Sequence, residues 1–131
     1  MIKNILFKAM IVVLTLFVSM GEWYILKRGE SLKEEFILIA KELEIKYPEK
    51  VRVLVVNNLL NIAGVTLRYG IIIKKDYLSH EILVHELTHV KQYEKKGGIY
   101  EFLKQYFYEI NKFGYYNSPS ENEARKNADL Y

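Results

Sequence analysis

The sequence has no cysteine, and that one absence excludes disulfide scaffolds, thiolate zinc sites and cysteine nucleophiles. Any bound metal must therefore be held by His, Asp or Glu. Proline and glycine are scarce, at two and seven residues. With 50% apolar and 27% charged residues, the composition is globular, not collagenous, low-complexity or disordered. A length of 131 residues leads us to expect one domain. Excess charge is also missing. The net value of +3, from 19 basic and 16 acidic side chains, is too small and too evenly spread to indicate a nucleic-acid partner. Histidine is rare as well, and two of the three histidines carry the functional reading.

Residues 1–21 differ from the rest of the chain. Met1-Ile-Lys-Asn4 is a short basic start, Lys8 adds a second charge, and Ala9 to Gly21 carries none. This pattern matches the basic and apolar regions of a secretory signal, with Ser19 and Gly21 as small residues before a cut at Glu22. A membrane anchor is the competitor. It needs about 20 apolar residues and reaches them only by continuing to Leu26. Trp23, Tyr24, Lys27 and Arg28 would then lie at an interface, where such residues are favoured. A buried core helix fits the run equally well. The expectation is membrane attachment through residues 1–26, or export, slightly ahead of a cytoplasmic location, with residues 22–131 as a single domain.

Beyond this segment, Ser31-Leu-Lys-Glu34 reads as a capping box, followed by a helix with Phe36, Ile39, Ala40, Leu43 and Tyr47 at helical spacing and Pro48 as its end. Residues 51–56 read as a strand dense in β-branched side chains. Residues 65–68 and 70–74 read as one further strand or two short ones near Gly70. Within them, Ile71-Ile-Ile73 reads as a core strand, with a substrate-pairing edge strand as the alternative. A long helix is expected from Asp76-Tyr-Leu-Ser79 to about Lys96, stopped by Gly97-Gly98. Another covers 99–112. A last helix opens with Ser118 as N-cap and Pro119 at its first position. The order of elements predicts an α+β fold.

His85-Glu86-Leu87-Thr88-His89 is H-E-x-x-H, and it falls within the long helix. Residues four apart are separated by about 40° around a helix axis, so the two imidazoles point the same way and can share one zinc ion. Glu86 lies about 60° from His89, on the flank of that face. From there it reaches a metal-bound water without becoming a ligand, the arrangement of a metallopeptidase general base. Catalytic zinc usually has three protein ligands and one open position. His80 is about 140° from His85 on the same helix, and Asp76 is roughly 13 Å away along the axis, so neither completes the set. The third ligand must be a carboxylate further on. Glu121, Ala124 and Ala128 share one helical face, and the alanines allow close packing that brings Glu121 to the metal. Glu123 is the rival, on a face with Asn127 and Leu130.

His85-Glu-Leu-Thr-His-Val-Lys-Gln92, followed by a Glu in E-x-x-A, resembles the zincin metallopeptidases of the gluzincin type. Gln92-Tyr-Glu-Lys-Lys-Gly-Gly98, Gly114-Tyr115 and Pro119-Ser-Glu-Asn-Glu-Ala124 are similar to segments of small bacterial zincin-like domains. The resemblance runs from about Arg52 to Ala128. It implies a short β-sheet packed against an H-E-x-x-H helix and C-terminal helices. It implies His85, His89 and Glu121 as Zn2+ ligands, Glu86 as the catalytic base, and a peptide or protein substrate. Many gluzincins carry Asp four residues after the ligand Glu, where it supports a zinc-bound His. Here that position is Arg125, so the support must come from elsewhere.

Gln92 sits within about 20° of His85 on the helical wheel and can hydrogen-bond a ligand or the neighbouring backbone. Tyr108, Tyr115 and Tyr116 are candidates to donate to a reacting oxyanion. Lys95-Lys96 and Arg125-Lys126 read as solvated charges. The leading functional reading is a zinc-dependent peptidase. The alternatives are a non-catalytic zinc-binding domain acting in partner binding, and a small membrane-anchored structural protein.

Overall fold

The computed structural model describes residues 2–131. Its elements are α1 (Ile2–Arg28), β1 (Glu30–Ser31), α2 (Glu34–Glu42), β2 (Arg52–Val56), β3 (Gly64–Leu67), β4 (Gly70–Lys74), α3 (His80–Lys96), α4 (Ile99–Phe113) and α5 (Pro119–Leu130). Short 3-10 turns occupy Pro48–Lys50 and Lys75–Tyr77. Five helices thus accompany one four-stranded mixed sheet of order β1-β2-β4-β3. β1 pairs antiparallel with β2, β2 runs parallel to β4, and β3 returns antiparallel to β4. The fold is α+β.

Alternation in β4 builds the main core. Ile71 and Ile73 are fully buried while Ile72 is only partly so, the period of two expected of a strand with one covered face. Phe36 and Ala40 of α2 and Val84, Leu87 and Val90 of α3 share that core. β4 is therefore interior, and the free edge on the α3 side belongs to β3. The substrate-pairing alternative for Ile71–Ile73 is corrected accordingly.

A second core joins α1 to α4, with Ile11 packed among Tyr93, Ile99, Phe102 and Leu103. α1 also sits directly on the sheet. A Cβ at Gly70 would stand only 3.0 Å from the Ile25 Cβ, so glycine permits the contact. One carboxylate anchors the helix there. Glu22, almost fully buried, accepts from Arg68 Nε and Nη2, each at 2.8 Å, and from the Tyr69 amide at 3.0 Å. A bidentate Arg–carboxylate pair fixes orientation as well as distance. α1 is long and apolar enough to cross a membrane, a property shared by signal sequences, anchors and core helices.

Two helix starts differ from expectation. Ser31 does not cap α2, because its backbone pairs with Arg52 in the sheet. α2 begins at Glu34 behind Lys33 and ends at Glu42, before Pro48 can act. α3 begins at His80, not Asp76. Ser79 is its N-cap and accepts from the Ile82 amide at 3.2 Å, while Lys75–Tyr77 forms a separate turn. Gly97, with φ of 89°, closes α3 as expected.

Candidate metal centre

α3 carries H-E-x-x-H on the side facing α4 and α5. The imidazoles of His85 and His89 stand 5.1 Å apart, centroid to centroid. α5 meets them with its first turn. Ser118 caps α5 and accepts from the Glu121 amide, which sets where that residue falls. Ala124, fully buried, lets the two helices close. Glu121 then reaches both rings, its Oε1 3.0 Å from His85 Nε2 and its Oε2 3.2 Å from His89 Nε2. One ligand atom from each residue lies within 4.8 Å of the others, a group that could hold a metal ion. Ligands at about 2.0–2.1 Å around a tetrahedral ion are about 3.3 Å apart, close to the 3.0 and 3.2 Å at which Glu121 meets the two rings.

Charge supports the same fit. Glu86 and Glu121 are 5% and 2% exposed. A divalent cation there would offset the cost of burying carboxylate charge once the imidazoles, as ligands, give up their protons. Burial disfavours the charged form of Glu121. Hydrogen bonds from His85 and His89, the His89 charge and the Tyr106 hydroxyl outweigh it and hold this carboxyl well below the usual range. Burial likewise opposes charge on His89. The bond to Glu121 and the nearby Glu86 reverse that and raise its pKa.

Glu86 is held apart from the ligand cluster by β3. The Thr66 hydroxyl donates to Glu86 Oε1 at 2.8 Å, and lies 3.0 Å from the Glu86 carbonyl. Tyr93 Oη reaches the Thr66 carbonyl at 3.3 Å, bracing that strand. Glu86 therefore faces the same cavity as His85, His89 and Glu121 without joining their cluster. The cavity measures about 990 Å³, and Leu14, Val18, Phe102 and Phe107 form much of its apolar wall.

Gln92 supplies the support missing at Arg125. Its Oε1 lies 2.8 Å from His89 Nδ1, which directs Nε2 towards Glu121. Its Nε2 donates to the Ser120 carbonyl at 3.0 Å and Glu123 Oε1 at 2.8 Å, tying His89 to α5. Arg125 lines the cavity but bonds the Tyr116 carbonyl and Asn122 Oδ1, not either histidine. Replacing Gln92 with Leu should cost about 10–100-fold in metal affinity, measurable by competition with a chromogenic chelator. Unchanged affinity would remove Gln92 from this role.

Glu123 lies outside the cluster, paired with Lys91 at 2.8 Å. His80 is remote from it, against Phe36 and the Tyr131 carbonyl. Of Tyr108, Tyr115 and Tyr116, Tyr115 lines the cavity. Sequence reasoning missed Tyr106, whose hydroxyl donates to Glu121 Oε2 at 2.6 Å. It also missed Thr66. Tyr106 sits on the apolar side of α4 and reads as core. The available signal was that a buried tyrosine hydroxyl needs a partner.

Fold and site together define an α+β protein with a His-His-Glu group able to hold a metal ion. Comparisons with protein-family models, curated proteins and solved structures found no match.

Proposed function

We propose that this chain is a zinc-dependent peptidase with a zincin-like fold of the gluzincin type. The observation that carries the reading is the convergence of His85, His89 and Glu121 beside the buried, separately held Glu86. Three nitrogen and oxygen donors, with a cavity on the remaining side, suit catalytic zinc. When bound there, zinc lowers the pKa of a coordinated water to near 7 and polarises a scissile carbonyl.

The chain's own residues divide the remaining work. Glu86 takes the proton of the attacking water and returns it to the leaving amine nitrogen. Thr66 keeps the Glu86 carboxylate aimed into the cavity. Tyr106 and Gln92 hold Glu121 and His89 in orientation. The free edge of β3 offers backbone groups to an extended substrate, and Tyr115 brings a hydroxyl to the cavity where an oxyanion would form. The apolar α1 supports membrane attachment or export.

Cleavage of a mixed peptide pool should stop on addition of 1,10-phenanthroline and return when Zn2+ is restored. Cleavage that persists through complete zinc removal would contradict the mechanism.

A further inference from the structure

α1 has two apolar faces, and only one is covered. Ile11, Leu14, Val18, Glu22 and Ile25 point inward. Opposite them stand Leu6, Val13, Leu16, Phe17, Met20 and Tyr24, 47–65% exposed. At about 100° per residue these six side chains span an arc of about 100°. No charge lies between Ala9 and Gly21. The hydroxyls of Thr15 and Ser19 bond the carbonyls four residues back, at 2.7 Å each, so neither needs water. At the far end, Lys27 lies over the Trp23 ring and Arg28 over Tyr24. Lys3 and Lys8 mark the near end. Aromatic rings and basic groups at the ends of an apolar face are the pattern of a lipid headgroup boundary.

The docking of α1 decides its orientation. The helix is about 40 Å long and is packed on α4 and the sheet from Ile11 to Ile25. Spanning a bilayer in this arrangement would carry the Glu22–Arg68 pair and the Glu101–Lys104 pair of α4 into or beside hydrocarbon, at high cost. Lying in the plane of one leaflet buries the outer face and leaves those pairs in protein and water. Leu14 and Val18, at mid-helix, also form a wall of the cavity holding Glu86 and His85.

We infer that α1 lies flat in the membrane surface, and that the cavity beside it takes an apolar polypeptide segment held at that surface. The substrate class rests on the peptidase reading, whereas the membrane orientation does not.

The test uses the full chain and vesicles of phosphatidylcholine with a minority of phosphatidylglycerol. Trp23 is the sole tryptophan, so Trp23→Phe combined with Phe17→Trp moves the probe to the outer face at mid-helix. Stronger quenching by a nitroxide near the headgroup than by one at the acyl-chain end is expected. Stronger quenching at the chain end would mean a spanning helix and overturn the orientation. Absence of quenching, with a dimer in solution, would assign the face to a second copy and also overturn it. For the substrate, fluorescent peptides are titrated against zinc-loaded Glu86→Gln. A Leu/Phe/Ala-rich peptide should bind at least about tenfold more tightly than a Ser/Asp/Lys-rich one of equal length. Equal binding, or none, overturns the substrate class. Preferential binding with no cleavage by wild type would sink the peptidase reading, leaving the membrane orientation and a cavity that binds apolar segments without cutting them.

Discussion

Replacing Glu86 with Gln is expected to abolish measurable hydrolysis while zinc stays at wild-type occupancy. A positioned general base contributes about 10²–10⁴-fold in rate, and the amide cannot take the water's proton. None of the three candidate ligands is altered. The local structure should also hold, since a Gln carbonyl can accept from Thr66 as Glu86 Oε1 does now. Gln is, in addition, helix-compatible. Zinc content and peptide cleavage should be measured on the same two preparations. Equal cleavage would remove Glu86 from the mechanism. If both proteins hold zinc and neither cleaves any peptide, the non-catalytic zinc-binding reading replaces the peptidase.

The second large effect is expected at Glu121. Its carboxylate touches His85, His89 and Tyr106 from a position only 2% exposed, so removing it takes away the one carboxylate of the cluster. Glu121→Ala should weaken zinc by more than the about 10–100-fold typical for losing an outer partner. Glu123→Ala should stay within that range, because Glu123 reaches the site only through Gln92. Competitive chelator titrations of the two variants give the order. The reverse order would move the third ligand to Glu123.

Much of this arrangement was legible in local signals. The i, i+4 histidines fixed a shared face because α3 is a regular helix there, and the Ser118 cap with Pro119 located the start of α5. Ala124 announced a close helix contact because only a small side chain permits one. What was not legible depends on partners distant in sequence. Ser31 has the chemistry of a cap, yet the ladder to Arg52 claims its backbone. Thr66 and Tyr106 look like ordinary strand and helix residues until the fold brings them to Glu86 and Glu121. Glu22 reads as a break in an apolar run, and its meaning comes from Arg68, 46 residues on. The departure at Arg125 could be read from the sequence. Gln92 could be read as a partner for a ligand, and what required the geometry between α3 and α5 is its tie to Ser120 and Glu123.

The central claim is a zinc ion held by His85, His89 and Glu121. X-ray absorption at the zinc edge, combined with elemental analysis of the purified full-length protein, tests it most directly. The account predicts one zinc per chain, two imidazole nitrogens at about 2.0–2.1 Å and carboxylate oxygen at about 2.0–2.2 Å, with the signal lost in Glu121→Ala. Substoichiometric zinc that survives Glu121→Ala, or a first shell without imidazole, would contradict it.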